Sequence, residues 1–215
     1  METSYSISDK LFRGLATLVS YVLHPLFIPT YIFWFLTWQF PYEFAGITVW
    51  QLKLRLFAVF WMTAFFPAFA VFLMSRLKLI ESMMLRTQKD RIIPFFVSMF
   101  FYWWMYYLSR NFTDQPIVLK FFYFGIFIST AVGVFLNNYM KISLHGIGAG
   151  GAVAAMILFA FHYQLNLGLA ISITILLAGL VSTCRLALGE HKQVEVYAGI
   201  LTGLFCQLFA YWFIL

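Results

Sequence analysis

Charged residues are scarce in this chain. Only 10% of its 215 residues are Asp, Glu, Lys or Arg, whereas a soluble domain carries about 25%. Hydrophobic residues make up 63% of the chain, and apolar runs of about 18 residues or more recur along it, which is typical of membrane spans. The runs do not alternate with a period of two, as the strands of a membrane barrel would. The composition therefore excludes a soluble domain and predicts a helical membrane protein.

Cysteine is nearly absent, and the basic residues are few and grouped. The two cysteines, Cys184 and Cys206, are too few for a disulfide framework and lack the spacing of zinc ligands, so we interpret them as packing residues. The net charge of +6 does not indicate nucleic acid as a partner. The basic residues lie beside the apolar runs, where they fit lipid headgroups or phosphate.

The apolar runs predict an all-α, polytopic transmembrane bundle of six to seven spans in one integral-membrane domain, residues 1–215. We expect the first run to remain as a span, because no small-residue cleavage site follows it. Pro25 and Pro29 are expected to kink the first span and Pro67 the second, while Pro94 should open the third. The spans are predicted near residues 15–38, 55–75, 92–109, 117–138, 146–163, 167–184 and 194–215.

Three polar segments interrupt the apolar sequence, at residues 86–94, 141–151 and 184–199. An even number of predicted spans separates each pair of segments. All three should therefore lie on one face of the membrane, where they can meet.

The third segment contains the most chemistry. His191 and Glu195 are four residues apart, so they share a face if the stretch is helical. A carboxylate in that position holds the imidazole in one tautomer and leaves its other nitrogen free to attack. Arg185 lies six residues before His191, and its guanidinium matches the oxygens of a phosphate.

The second segment, "KISLHGIGAGG", combines Lys141, Ser143 and His145 with a glycine-rich helix start. Backbone N–H groups at such a start, including that of Gly146, can approach an anion closely. The alternative is helix packing, because Gly146 and Gly150 have the four-residue spacing of close helix contacts. Beside two other basic segments, the anion-binding interpretation is favoured.

The first segment offers Arg86, Lys89 and Arg91 ahead of the third span. Such a basic loop can contact anionic lipid headgroups. If it converges with the other two segments, it can instead clamp a phosphate.

These segments resemble, in order and spacing, the motifs of the type 2 phosphatidic acid phosphatase superfamily: KxxxxxxRP, PSGH and SRxxxxxHxxxD. Residues 184–195 read CRLALGEHKQVE, with Arg185 and His191 matched and Glu195 in the aspartate position. The second motif reads ISLH, which matches Ser143 and His145. In the first motif, Arg86 occupies the lysine position and Pro94 the proline position. Ile93 stands where the motif has arginine, and Arg91, two residues earlier, can supply the missing positive charge. The resemblance covers residues 86–199.

The resemblance implies a lipid-phosphate or lipid-diphosphate phosphatase of a bacterial inner membrane, acting without a metal or a cofactor. It implies that His191 is the nucleophile, that Glu195 orients it and that His145 protonates the leaving group. Arg185 would stabilise the phosphoryl oxygens. The other expected phosphate-binding residues are Arg86, Lys89, Arg91, Lys141, Ser143 and Gly146. The expected partners are a lipid phosphate substrate and membrane lipids.

Two other functions stay open. A relative that has lost catalysis would bind anionic lipid or scaffold a membrane complex, and the altered first motif favours this reading. A lipid transporter would need buried polar residues along a path through the bilayer, yet the span interiors are nearly free of charge. His24, in the first span, is expected to bond its own helix near the proline kink rather than to act in catalysis. The sequence leaves the oligomeric state open.

Overall fold

The computed structural model describes residues 7–85 and 87–215, and these residues form helices without any strand. A short 3₁₀ turn, Pro41–Phe44, follows α2, and a π-helical turn, Trp61–Phe65, joins α3 to α4. The nine α-helices of the described residues are α1 (Ile7–Val22), α2 (Ile28–Gln39), α3 (Val49–Phe60), α4 (Phe66–Arg76), α5 (Gln88–Asn111), α6 (Ile117–Asn137), α7 (Leu144–Tyr163), α8 (Gly168–Ala187) and α9 (Gln193–Ile214).

Six helical rods are long and apolar enough to cross a membrane, and they confirm the prediction of an all-α polytopic bundle. The α3–α4 pair counts as one rod, Val49–Arg76, and helices α5 to α9 are the other five. The predicted boundaries of these six lie within a few residues of the observed ones, with one larger difference of six residues at the start of α3. Hydrophobic run length alone is thus sufficient to locate them.

The predicted first span, residues 15–38, is two helices rather than one kinked helix. The chain turns between α1 and α2, where the N–H of Phe27 donates to the carbonyl of His24. Pro25 and Pro29 cannot donate backbone hydrogen bonds, so a continuous helix would lose two of its bonds here. The break places the end of α1 beside the start of α7, where the ring of His145 lies 3.0 Å from the carbonyl oxygen of Ser20.

Prolines also disturb the next two rods. The π-helical turn Trp61–Phe65 ends two residues before Pro67, and the wider turn accommodates the missing N–H donor. Pro94 does not open α5, as the sequence predicts, but lies inside it. The helix begins earlier because the hydroxyl of Thr87 caps it by accepting from the N–H of Asp90 at 3.2 Å.

Helices α7 and α9 form the closest contact of the bundle through glycines. A Cβ added at Gly146 would lie 2.7 Å from the carbonyl oxygen of Val196, and one at Gly150 would overlap the carbonyl oxygen of Ile200. Gly199 and Gly203 meet α7 in the same way. Small residues at four-residue spacing let the two backbones touch. The packing places the starts of α7 and α9 side by side.

Candidate anion-binding site

The three polar segments meet at one end of the bundle through backbone hydrogen bonds. Arg91 on α5 donates from Nη1 to the carbonyl of Ile142 at 2.9 Å. The N–H of Ser143 donates to the carbonyl of Glu195 at 3.1 Å. Parity of the predicted spans allows this meeting, and the α7–α9 contact brings the second and third segments together. We call Arg91, Lys141 and Arg185 the basic cluster.

His191 has a fixed tautomer. Its Nδ1 lies 3.0 Å from the carboxylate of Glu195 and 3.0 Å from the carbonyl oxygen of Lys141. Both partners can only accept, so Nδ1 carries the proton and donates to them. In the neutral ring the lone pair is then on Nε2, which has no hydrogen-bond partner within residues 7–85 and 87–215. The ring is buried and its free nitrogen is the nucleophilic one.

The pairing of His191 with Glu195 does not need a shared helix face, contrary to the reasoning from spacing. His191 precedes α9, and Glu195 lies in its first turn. The same carboxylate oxygen accepts from the N–H of Lys192 at 3.1 Å. The start of the helix therefore holds Glu195 in place for His191.

Among the described residues of the first segment, Arg91 is the basic residue that the structure brings into the site. It is only 4% exposed, and its Nε donates to the carbonyl of Leu85 at 2.8 Å. Its Nη2 has no partner among the described residues. Lys89 and Ile93 are exposed, and Lys89 takes part in no hydrogen bond or ion pair in the described part of the chain. Arg86 lies outside the described residues.

Arg185 lies at the centre of the site's charges. Its Nη2 is 3.7 Å from the carboxylate of Glu190, but its Nε is buried without a hydrogen-bond partner. Its charge acts on five basic side chains around it, namely His24, Arg91, Lys141, His145 and His191. Unused donors in a crowded cationic site are suited to binding an anion.

Two carboxylates only partly balance these charges. Glu190 lies 4.0 Å from Nζ of Lys141, which also donates to the backbone carbonyl of Glu190 at 2.9 Å. Burial first, and then the charge of Arg91, lower the pKa of Lys141 below its ordinary value. Burial and the charge of Arg91 likewise lower the pKa of His191 to about 4, against the opposing effect of its hydrogen bond to Glu195. His191 is therefore neutral near pH 7.

Two further histidines, His145 and His24, join the site. His145 donates from Nε2 to the carbonyl of Ser20 at 3.0 Å, at the end of α1. Its ring meets that of His24 edge to face, with centroids 5.1 Å apart. The sequence assigns His24 to its own helix, because the break between α1 and α2 is not visible in the apolar pattern. The sequence signal that could have identified His24 as a site residue is a polar side chain beside a proline inside an apolar run.

Ser143 and Gly146 have structural roles in the site. Ser143 is fully buried and caps α7, because its hydroxyl accepts from the N–H of Gly146 at 3.1 Å. Gly146 faces α9, so the helix-packing alternative accounts for this glycine.

Sequence reasoning missed the pair Gln88 and Asn137, whose side chains each donate to the other's backbone carbonyl, at 2.8 and 2.9 Å. No motif marks such a pair, which joins the start of α5 to the end of α6.

Comparisons with protein-family models, with curated proteins and with solved structures found no match to this chain. The site is therefore interpreted from its own residues.

Proposed function

We propose that this chain is a membrane lipid-phosphate or lipid-diphosphate phosphatase that forms a phosphohistidine. The proposal also makes it a divergent member of the type 2 phosphatidic acid phosphatase superfamily in a bacterial inner membrane. The observation behind it is the environment of His191. Its Nδ1 proton is held by Glu195 and Lys141, and its Nε2 lone pair is free beside cations with unused donors.

In the proposed first step the Nε2 lone pair of His191 attacks phosphorus and the bond to the lipid oxygen breaks. The positive charge that develops on the ring is stabilised by Glu195, which already accepts from Nδ1. Arg91 and Arg185 offer N–H donors for the phosphoryl oxygens, because Nη2 of the first and Nε of the second are unpaired in the described part of the chain.

His145 is assigned the proton transfer to the leaving oxygen. Its Nε2 proton is committed to Ser20, so Nδ1 must carry the transferred proton and the ring must be an imidazolium at that moment. A bound phosphate dianion favours that charged form. The leaving lipid alkoxide takes the Nδ1 proton and departs as the alcohol. A diphosphate substrate would leave as the lipid monophosphate.

Water completes the cycle. It attacks the phosphohistidine, gives a proton to Nδ1 of His145, and the bond between phosphorus and Nε2 of His191 breaks. Inorganic phosphate leaves, and both histidines return to their starting states. One water is consumed for each phosphate released.

The first test is phosphate release by the purified full chain from phosphatidic acid, phosphatidylglycerol phosphate and undecaprenyl diphosphate. His191→Ala should lower the rate at least about 10³-fold, because it removes the nucleophile. His162→Ala is the matched control, since His162 lies at the far end of α7 and should leave the rate unchanged. Absence of release from all three substrates by a folded wild-type sample would contradict the proposal.

Anion binding without hydrolysis is the second candidate function. The side chain of His191 is only 2% exposed, so access to its Nε2 is narrow. If no substrate phosphate reaches this nitrogen, the basic cluster would still bind phosphate lipids. Binding of these lipids without release of inorganic phosphate would identify the second function.

A further inference from the structure

We propose that an interior chamber beneath the basic cluster binds one hydrocarbon chain of a lipid whose phosphate meets Arg91. The chamber is a cavity of about 330 Å³ lined by α2, α4, α5, α6 and α7 and by the turn between α1 and α2. Its size is within the range of small-molecule sites, about 300–1,000 Å³. The placement of the phosphate at Arg91 rests on the proposed function. The placement of the hydrocarbon chain rests on the shape and lining of the chamber.

One end of the chamber is polar and donates hydrogen bonds. Arg91 and His24 both line it. The N–H of Leu26 donates to Nδ1 of His24 at 3.3 Å, so the neutral ring of His24 carries its proton on Nε2. Neither this Nε2 nor Nη2 of Arg91 has a hydrogen-bond partner in the described ranges. Two unpaired donors at one end of a cavity fit the oxygens of a phosphate.

The rest of the chamber is mostly apolar. The hydroxyls of Ser129 and Thr130 donate to backbone carbonyls one turn earlier, whereas those of Ser98 and Tyr102 have no hydrogen-bond partner among the described residues. A hydrocarbon chain suits such walls better than a sugar or a peptide, which would leave buried polar groups unpaired. The main apolar lining residues are Pro25, Pro67, Pro94, Phe95, Phe122 and Ile126.

Helix irregularities create this space. The break between α1 and α2 brings Pro25 to the chamber, and the π-helical turn Trp61–Phe65 precedes Pro67. Pro94 lies inside α5 on the same cavity. Each proline removes a backbone donor and bends or widens its helix, so these helices cannot pack as closely as α7 and α9 do.

The depth of the chamber matches one leaflet of a bilayer. Arg91 and Tyr102 both line it and are eleven residues apart on α5, which corresponds to about 16 Å along the helix. One leaflet contributes about 15 Å of the hydrocarbon core. A lipid with its phosphate at Arg91 can therefore extend one chain to Tyr102, near the middle of the bundle.

The chamber has a sideways entrance. Ala68 on α4 and Met83, which follows α4, line the cavity and are also exposed. Ala68 lies on a membrane-crossing rod, where membrane lipids surround the bundle, and Met83 lies in the loop at the membrane surface. A lipid chain can enter there without crossing the basic cluster.

A second, larger cavity does not fit the same ligand. This groove of about 710 Å³ lies between α2, α7 and α8, and no charged residue lines it. It offers no charged partner for a phosphate. The combination of charge and apolar depth is found in the chamber and not in this groove.

The test measures binding of butyl, octyl and dodecyl phosphate to the full chain in phosphatidylcholine nanodiscs. The His191→Ala variant is used so that the probes are not consumed. Affinity should rise with chain length. Ser98→Phe, which places a ring between Arg91 and Tyr102, should weaken dodecyl phosphate binding at least ten-fold more than butyl phosphate binding. Ser172→Phe, the same change on the exposed face of α8, should leave all three affinities unchanged.

A second measurement locates the chain directly and does not depend on a folded Ser98 variant. Dodecyl phosphate with a diazirine at its chain end is photolysed in the complex, and the labelled residues are mapped by mass spectrometry. Labels at Tyr102, Phe122 or Ile126 are expected. Labels confined to outward-facing side chains, or equal affinity for all three probes, would overturn the assignment.

The outcomes separate this inference from the proposed function. Chain-length-dependent binding with labels in the chamber, but without phosphate release by the wild-type chain, supports the chamber and overturns the phosphatase. Phosphate release with no chain-length dependence and no effect of Ser98→Phe supports the phosphatase and overturns the chamber.

Discussion

His191 is held by two acceptors, and only one of them is visible in the sequence. Glu195 follows from the spacing of the third segment. The carbonyl of Lys141 comes from another segment 50 residues earlier and completes the bifurcated hydrogen bond from Nδ1. With two acceptors on Nδ1, the ring cannot adopt the other tautomer without losing both bonds. The nitrogen that points to the proposed phosphate is therefore set by the backbone as well as by the carboxylate.

Stability should depend on pH through this residue. The folded-state pKa of His191, about 4, is below the ordinary value of 6.5. Protonation therefore favours the unfolded chain, and the contribution of His191 is complete above pH 6.5 and lost as the pH falls toward 4. The expected loss is about 3 kcal/mol across that window.

The measurement is thermal unfolding between pH 7 and pH 4 of the wild type and of His191→Asn. Asparagine keeps an N–H donor near Nδ1 but does not titrate. Its curve should therefore fall less steeply than that of the wild type, although His24 and His145 contribute to both. Parallel curves would show that His191 is not buried in its neutral form.

At the scale of elements, the α7–α9 contact positions the site. The sequence favours anion binding for the glycines of the second segment, with helix packing as the alternative, and the structure places Gly146 and Gly150 against α9. The packing still serves the site, because it joins Ser143 to the backbone of Glu195. The start of α7 is a structural support for His145 and for the basic cluster.

Gly150→Ala should destabilise this contact, because the added methyl overlaps the backbone of α9. The expected cost is about 1–3 kcal/mol, the usual range for overpacking. Gly179→Ala on α8 is the matched control, since a Cβ there meets no other atom within 4 Å. It should be neutral or stabilising by up to about 1 kcal/mol. Unfolding in detergent followed by circular dichroism distinguishes the two, and equal stability of both variants would mean that α7 and α9 are not in close contact.

At the scale of the whole molecule, six membrane-crossing rods define two faces. The loops after α4, α6 and α8 share the face of the basic cluster, and the loops after α5 and α7 share the other. On the far face, Arg55 forms an ion pair with Asp114 and joins the start of α3 to the loop after α5. The largest hydrophobic cluster, which includes Phe33, Phe121 and Phe159, lies toward that far end.

Cysteine labelling tests this arrangement. Glu81→Cys and Lys192→Cys should react with a membrane-impermeant maleimide from the same side, and Thr113→Cys from the opposite side, because all three positions are exposed. The natural Cys184 and Cys206 are buried and should label slowly. Labelling of Glu81→Cys and Lys192→Cys from opposite sides would require a different number of crossings between them.

The bundle itself could be predicted from the sequence. In the bilayer, the backbone N–H and C=O groups of each long apolar run must form their hydrogen bonds within a helix. The length of the run therefore predicts the bounds of a span, and the predicted span 117–138 differs from α6 by one residue. The break near His24 could not be located in this way, because two prolines in an apolar run are compatible with either a kink or a turn. The burial of Arg91 and the exposure of Lys89 also depend on how α5 is rotated in the bundle.

The sequence by itself determined that this chain is a helical membrane protein and that three polar segments lie on one face. Both results follow from local chemistry, because hydrophobic length and parity need no knowledge of packing. Only the tertiary structure decided that Lys141 shares the proton of His191, that His24 joins His145, and that a chamber lies beneath Arg91. These features arise from contacts between residues far apart in the chain. Their geometry is set by how closely the helices approach, which glycines permit at α7 and α9 and prolines prevent around the chamber.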